Sequence, residues 1–265
     1  MKTRDIRSCY IGPEISPEQF MSQHYFLYVA QGSIFGYDRD KQYVLKAGES
    51  CIIRKNHLAR YRKQREKDEF AKVIIAFDET FLREFCEKHR PGTPAFTSTN
   101  AFIQLKRSPL ILDFLHSLGP WRNIVGKSDD TNPDRKREEL LTILLRSRPE
   151  LAGVFFDFGA PQKIDLEAFM NQNYKFNVSI ERFAFLTGRS RSAFKRDFKQ
   201  VFNDTPSHWL IQRRLEEAHF LLEKKKTRTS DVYQEVGFED LSHFSFAFKK
   251  RYGYSPVELQ RQKNR

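Results

Sequence analysis

Residues 192–206 read SAFKRDFKQVFNDTP, and residues 242–256 read SHFSFAFKKRYGYSP. Each stretch begins with Ser, sets Phe at its third and seventh letters, follows the second Phe with Lys, and closes on Thr or Ser plus Pro. Aromatic residues four apart share one face of a helix. Asn203 and Gly253 stand one past an aromatic residue, in the C-cap slot that favours left-handed backbone. A chain carrying this unit twice must therefore bury two matching aromatic helix faces. That requirement constrains its last hundred residues more than any other feature.

The flanking sequence extends the repeat. SIERFAFLTGRSRSAFKRDF predicts a short helix, a tight turn around Gly188 and a second helix; SDVYQEVGFEDLSHFSFAF repeats the plan with its turn at Gly237. Two helices joined by a brief Gly-bearing turn make a helix-turn-helix. Helices are expected over 165–174, 179–188, 190–202, 207–225, 230–236, 240–252 and 255–262. Ser179, Ser190, Ser207, Ser230, Asp240 and Ser255 are the expected N-caps. In such a unit the second helix enters the DNA major groove while the first braces it. With Phe194, Phe198, Phe244 and Phe248 turned inward, the helix at 190–202 presents Ser192, Lys195 and Arg196 to base edges. Ser190, Arg191 and Lys199 are then placed for phosphates. The helix at 240–252 presents Leu241, Ser242, Ser245 and Phe246 to bases, a small and apolar set suited to thymine methyls more than to guanine. His243, Lys249, Lys250 and Arg251 are its phosphate candidates. A continuous helix between the units would let them read major grooves about 34 Å apart.

The first ninety residues have a different period. FLYVAQGSIFGY (26–37), QYVLKAGESCIIR (42–54), HLARYRK (57–63) and AKVIIAF (71–77) are short β-branched or aromatic runs, with Gly32, Asp38–Asp40 and Gly48 as turns. A small sandwich or barrel is expected there, followed by a helix at 78–89 capped by Asp78. Asn132 and Pro133 mark another helix start, running to about 148. Its stripe of Leu140, Leu141, Ile143, Leu144 and Leu145 admits two readings, a homodimer contact or ordinary packing on the sheet. GAPQK (159–163) has the Gly and Pro of a hinge. The expected fold is α+β in two domains, 1–162 and 163–265, the first a β domain with helices and the second all-α.

Charge agrees with a polyanionic partner. The net charge is +12, and from Lys163 onward 20 basic residues face 13 acidic ones. Phosphates reward such a surplus through counterion release. Cys9, Cys51 and Cys86 are odd in number and lack metal-ligand spacing, so three reduced thiols are expected. The first residues carry charge but no apolar signal region, and no run approaches the roughly 18 apolar residues of a bilayer span. A cytoplasmic protein without membrane partners is the expectation.

Ala184, Ser190, Phe194, Arg196, Phe198-Lys199, Pro206, Arg214-Leu215, Ala218, Leu221-Leu222 and the string GFEDLSHFSFAFKKRYGYSP (237–256) together resemble the DNA-binding domain of AraC family transcription regulators. The resemblance covers roughly the last hundred residues. It implies a double-stranded DNA partner, RNA polymerase as a second one, and helices 190–202 and 240–252 as readers. Activation is the commoner family outcome; repression is the alternative. Three positions depart from the family pattern: Tyr233 where a small residue is usual, Asn203 where Gly is usual, and Phe246 where Arg is common. The last implies that the first unit supplies most polar base contacts. HYFLYVAQGS, LKAGESCIIR and AKVIIAF more loosely resemble the cupin-like regulatory domain that precedes this module in many members. That likeness implies a small-molecule or protein effector on the N-terminal domain. The two-His-plus-Glu cluster of metal-binding cupins is missing, since His24 and His57 stand on separate segments. No metal and no cofactor are expected. An enzyme, such as a cupin-type or alkyl-transfer domain fused to the module, lacks clustered cysteines, GxSxG, a phosphate loop or HExxH in this sequence.

Overall fold

The computed structural model describes residues 8–12, 19–38, 41–66, 69–92, 100–118, 124–125, 133–224 and 229–263. The chain divides into two compact units, Met1–Gly159 and Ala160–Arg265.

In the first unit, period-two patterning places alternate residues on opposite faces of a sheet. Strands β1 (Cys9–Gly12), β2 (Phe20–Met21), β3 (His24–Gln31), β4 (Ser33–Asp38), β5 (Lys41–Lys46), β6 (Ser50–Ile53), β7 (His57–Leu58), β8 (Arg60–Gln64) and β9 (Ala71–Phe77) follow in order. Helix α1 (Glu79–His89), β10 (Phe102–Leu105), α2 (Pro109–Ser117), β11 (Ile124–Val125), α3 (Pro133–Ser147) and α4 (Ala152–Phe155) complete the unit, with a 3-10 turn at Pro149–Leu151. A six-stranded sheet has the order β10-β6-β3-β9-β1-β11, a three-stranded sheet the order β5-β4-β8, and β2 pairs with β7. Tyr25, Leu27 and Val29 meet Ile34 and Leu45 of the small sheet in one core. From the same strand β3, Phe26, Tyr28 and Ala30 face a second core with Phe81, Phe114, Leu140 and Phe155 from the helices. The unit is thus a two-sheet sandwich on one side and a sheet-on-helix layer on the other. The run 26–37 is two strands, broken where Gly32 takes φ 82°.

Sequence patterning did not reveal that β1 and β11 join as parallel strands. Nor did the four-residue β10 stand out from its helical surroundings. Helix α1 begins where expected, with Asp78 accepting from the Phe81 N–H at 3.0 Å. Asp78 also pairs with the buried Arg137 of α3, which donates to the Ala76 carbonyl at 2.8 Å. Asn132 and Asp40, expected at a cap and a turn, lie outside the described residues. In the leucine stripe, Leu140, Leu141 and Leu144 are buried in the unit's own core, with Ile143 and Leu145 half-buried beside them. Those three leucines are spent on the unit's own packing. Cys9 and Cys51 are buried and Cys86 half-buried, none of the three in a disulfide. His24 is a core residue, edge-on to Phe155, its Nδ1 accepting from the Lys55 N–H at 3.2 Å. His57 donates instead to the Lys55 carbonyl at 2.8 Å. Among the described residues no three metal-ligating side chains converge, and no helix is long and apolar enough to cross a membrane.

The second unit is helical throughout: α5 (Leu166–Asn173), α6 (Ile180–Leu186), α7 (Arg191–Phe202), α8 (Pro206–Lys224), α9 (Thr229–Glu235), α10 (Leu241–Tyr252) and α11 (Pro256–Lys263). Asp165, Ser179, Ser190 and Asp240 cap as their chemistry dictates. Ser255 forms a reciprocal capping box with Glu258. Two expected caps are corrected. Pro206 takes the first turn of α8, so Thr205 rather than Ser207 accepts from the His208 N–H. Ser230 lies inside α9, which starts one residue earlier.

The two turns are alike in a way that fixes them as glycine. Gly188 has φ 65°, and a Cβ there would stand 2.4 Å from the Gln162 carbonyl carbon; Gly237 has φ 97°, and its Cβ would stand 2.5 Å from the Lys175 oxygen. Left-handed backbone and a passing main chain both exclude side chains at these points. Gly188→Ala should lower the stability of the helical unit by about 1–3 kcal/mol, read as a lower thermal midpoint. A midpoint equal to that of the parent chain would contradict this.

A second expectation concerns Lys72 on β9. Burial, and the neighbouring Lys63, pull its ammonium down to about 8. The folded unit therefore binds this proton less readily than the unfolded chain does, and this contribution to stability rises between pH of about 8 and the usual lysine value of about 10.5. Below about 8 the full penalty remains. Denaturant unfolding of Lys72→Met should lack that alkaline rise, and its advantage over the parent should be greatest below pH 8.

Candidate nucleic-acid interface

Each aromatic pair anchors its helix against α8. Phe194, Phe198, Phe244 and Phe248 are fully buried. Phe198 meets Trp209 near the start of α8 at 5.6 Å between ring centroids, and Phe248 stacks with His219 farther along at 6.0 Å. Trp209 and His219 are ten residues apart, so the two docking points are separated by about 15 Å along α8 and about 80° around it. Helix α8 runs unbroken over its 19 residues and joins the two helix-turn-helix pairs.

With the anchors inside, the opposite faces are fixed. On α7, Ser192, Lys195, Arg196 and Lys199 are exposed, as are Ser190 and Arg191 at its start. Arg196 lies 3.3 Å from Asp197 yet keeps 70% of its side-chain surface in solvent. Arg191 pairs with Glu181 at 2.8 Å, and Lys199 Nζ donates to the Asn203 carbonyl at 3.1 Å. Asp197 gathers Arg189, Arg196 and Lys163, and the bond from Arg189 chiefly holds its carboxyl below the usual range. Arg189 is the structural member: buried, it donates also to the Ile164 and Thr187 carbonyls and locks the turn between α6 and α7.

On α10, Leu241, Ser242, His243, Phe246, Lys249 and Lys250 are exposed and Ser245 half-buried. His243 lies edge-on to Phe238. Arg251 departs from its expected phosphate role. Its guanidinium turns onto α8, donating to the Gln212 carbonyl at 2.8 Å, to the Gln212 side chain, and to Glu216 at 2.7 Å. The geometric reason is its position: three residues past Phe248, it lies over the inward side of the helix. It braces α10 instead of facing outward with Lys249 and Lys250.

Sequence reasoning missed a groove of about 390 Å³ between α8 and α10, whose lining includes Ile211, Leu215, Phe246, Ala247, His243 and Lys250. It missed Arg214 as well. This half-buried guanidinium donates to the Tyr174 and Phe176 carbonyls, both at 2.8 Å, and desolvation draws it down to about 10. Only the fold brings these carbonyls to α8. Of the three departures from the family pattern, Asn203 takes the left-handed cap with φ 52°, and Tyr233 packs half-buried against the helical unit's own core of Leu215, Val232, Phe244 and Phe248. Phe246 remains outside.

Two known families match this chain. One, described as a helix-turn-helix domain, matches residues 183–262. The other, the ExsA N-terminal regulatory domain, matches residues 24–154. The chain thus carries an AraC-type helix-turn-helix domain behind an ExsA-like N-terminal domain. Its relatives include the virulence regulon transcriptional activator VirF of Yersinia enterocolitica, 25% identical over 248 residues that cover 90% of this chain and 89% of VirF. The transcriptional regulator ExsA of Pseudomonas aeruginosa is 23% identical over 246 residues, covering 88% of this chain and 84% of ExsA. The solved structure of ToxT from Vibrio cholerae is 12% identical and covers 96% of each chain, with a TM-score of 0.41.

The different settings of two adjacent cations on this AraC-type domain have a measurable consequence. Arg251→Ala should destabilise the helical unit by about 0.5–1.5 kcal/mol, because it removes the hydrogen bonds from α10 to Gln212 and Glu216, although Glu216 keeps Arg213 at 3.2 Å. Lys250→Ala should leave the thermal midpoint unchanged. Equal midpoints for the two variants would contradict the bracing role.

Proposed function

We propose that this protein is a sequence-specific transcription activator that holds two consecutive major grooves of one duplex with α7 and α10. The observation that carries the reading is the pairing of buried aromatic anchors with outward faces on two equivalent helices fixed to one unbroken α8. Burial of each Phe contributes roughly 1.5–3 kcal/mol, enough to hold each outward face in one orientation before DNA arrives. Ser192, Lys195 and Arg196 of α7 would read base edges, with Arg196 suited to guanine O6 and N7. Ser190, Arg191, Lys199, His243, Lys249 and Lys250 would position the duplex through its phosphates.

Activation, rather than repression, is supported by the relatives whose names call them activators. The proposal includes RNA polymerase as partner and a cytoplasmic protein without enzymatic activity. The N-terminal unit, matched to a regulatory domain, would receive the controlling signal. Effector control by a small molecule or protein and self-association would both act through that unit. Leu140, Leu141 and Leu144 are committed to its own core, so an α3 dimer seam would not draw on them.

Selection of duplexes from a random pool, followed by binding measurements over a salt series, tests the reading. Arg196→Ala should cost about 1–3 kcal/mol at one base position and relax the preference there. Lys250→Ala should weaken binding across sequences and reduce the magnitude of the salt slope by about one. Unchanged affinity in both variants would overturn the assignment of faces.

A further inference from the structure

We infer that the two recognition helices read DNA by different chemistries, α7 by hydrogen-bond donation and α10 by apolar contact with thymine methyl groups, with Phe246 as the residue that sets the second preference. The inference rests on the DNA-reading assignment just made and goes on to name what the second half-site contains.

The repeat places the two helices in register at a fixed offset. Positions 191, 192, 195, 196 and 199 of α7 correspond to 241, 242, 245, 246 and 249 of α10, because Phe194 and Phe198 occupy the places of Phe244 and Phe248. In a helix the residue two past the first anchor points nearly opposite to it. Arg196 and Phe246 are those two residues. Arg196 keeps 70% of its side-chain surface exposed, and Phe246 as a residue is likewise 70% exposed. The geometry is shared while the chemistry is reversed. Arg191 and Lys195 likewise give way to Leu241, 40% exposed, and Ser245. The reading face of α10 therefore lacks the long charged donors that α7 presents.

The surroundings of Phe246 keep their affinity for a polyanion. Lys249 and Lys250 are exposed at the C-terminal end of α10, and Lys250 lines the same groove between α8 and α10 as Phe246. An apolar ring beside ammonium groups is complementary to a surface that is anionic at its edge and apolar at one point. The major groove offers such a point in the C5-methyl of thymine, for which an apolar side chain is the matching contact. A guanine edge, with its two acceptors, would stay unsatisfied against Phe246.

The test uses the full chain and the duplexes it selects from a random pool. Thymines are replaced singly by deoxyuridine, which removes the methyl and keeps the pairing. Affinity should fall about fourfold for each contacted methyl, at one or two positions of a single half-site. Restoring a methyl should restore binding, so 5-methylcytosine at such a position should bind tighter than cytosine. Phe246→Ala should abolish the deoxyuridine effect, Arg196→Ala should retain it, and reselection with Phe246→Arg should enrich guanine there. Phe246 is exposed, so these variants should fold as the parent does. Tight, sequence-selective binding indifferent to deoxyuridine at every position would overturn the methyl contact alone and leave Phe246 to a protein partner. Absence of any sequence preference would overturn this inference and the DNA-reading assignment together.

Discussion

Burial of Phe198 against Trp209 and of Phe248 beside His219 fixes two helices to one bridge. Without those contacts α7 and α10, 12 residues each, would be marginal as helices and free in direction. With them, each helix has one rotational setting, since turning by a single residue would expose a phenyl ring and bury a cation. Replacement of a buried Phe by Ala typically costs about 3–5 kcal/mol, a large fraction of a domain's stability. The outward display of Arg196 or Phe246 is thus a consequence of what is hidden behind it.

Polar struts refine what the apolar anchors establish. Arg189 ties the first turn to the Ile164 carbonyl, Arg214 ties α8 to the Tyr174–Phe176 segment, and Arg251 ties α10 to α8. Each guanidinium donates to at least one main-chain carbonyl, and such a bond survives changes in side-chain chemistry on the other element. The cations that remain exposed, Lys195, Arg196, Lys249 and Lys250, keep their charge available for a polyanion. A basic cluster in sequence therefore separates into braces and exposed charges, with adjacent residues such as Lys250 and Arg251 on different sides of that division.

Much of the helical unit was legible from residue spacing. The FxxxF pairs, the capping Ser and Asp residues, and the left-handed turns at Gly188 and Gly237 are marked by residue type and helical spacing, so their positions along the chain carry their meaning. The outward faces of α7 and α10 follow from the same periodicity. Less was legible in the sheet unit. Its strands were visible as β-branched runs, but pairing order depends on contacts between residues tens of positions apart. The parallel partners β1 and β11 and the short β10 left no local mark. The leucine stripe of α3 looked equally suited to a partner chain or to the sheet, because amphipathicity records that a face is covered and not what covers it.

The sequence by itself determined the two-part organisation, the duplicated helix-turn-helix, the left-handed caps at Asn203 and Gly253, and which side chains of α7 and α10 point outward. Those follow from helical period and local backbone preference. Tertiary structure decided the fate of Arg251, the role of Arg214, the choice of Thr205 over Ser207 as cap, and the burial of Leu140, Leu141 and Leu144 within their own unit. A guanidinium on a flexible three-carbon stem reaches whichever carbonyl or carboxylate packing brings near it, and only the assembled helices specify that neighbour.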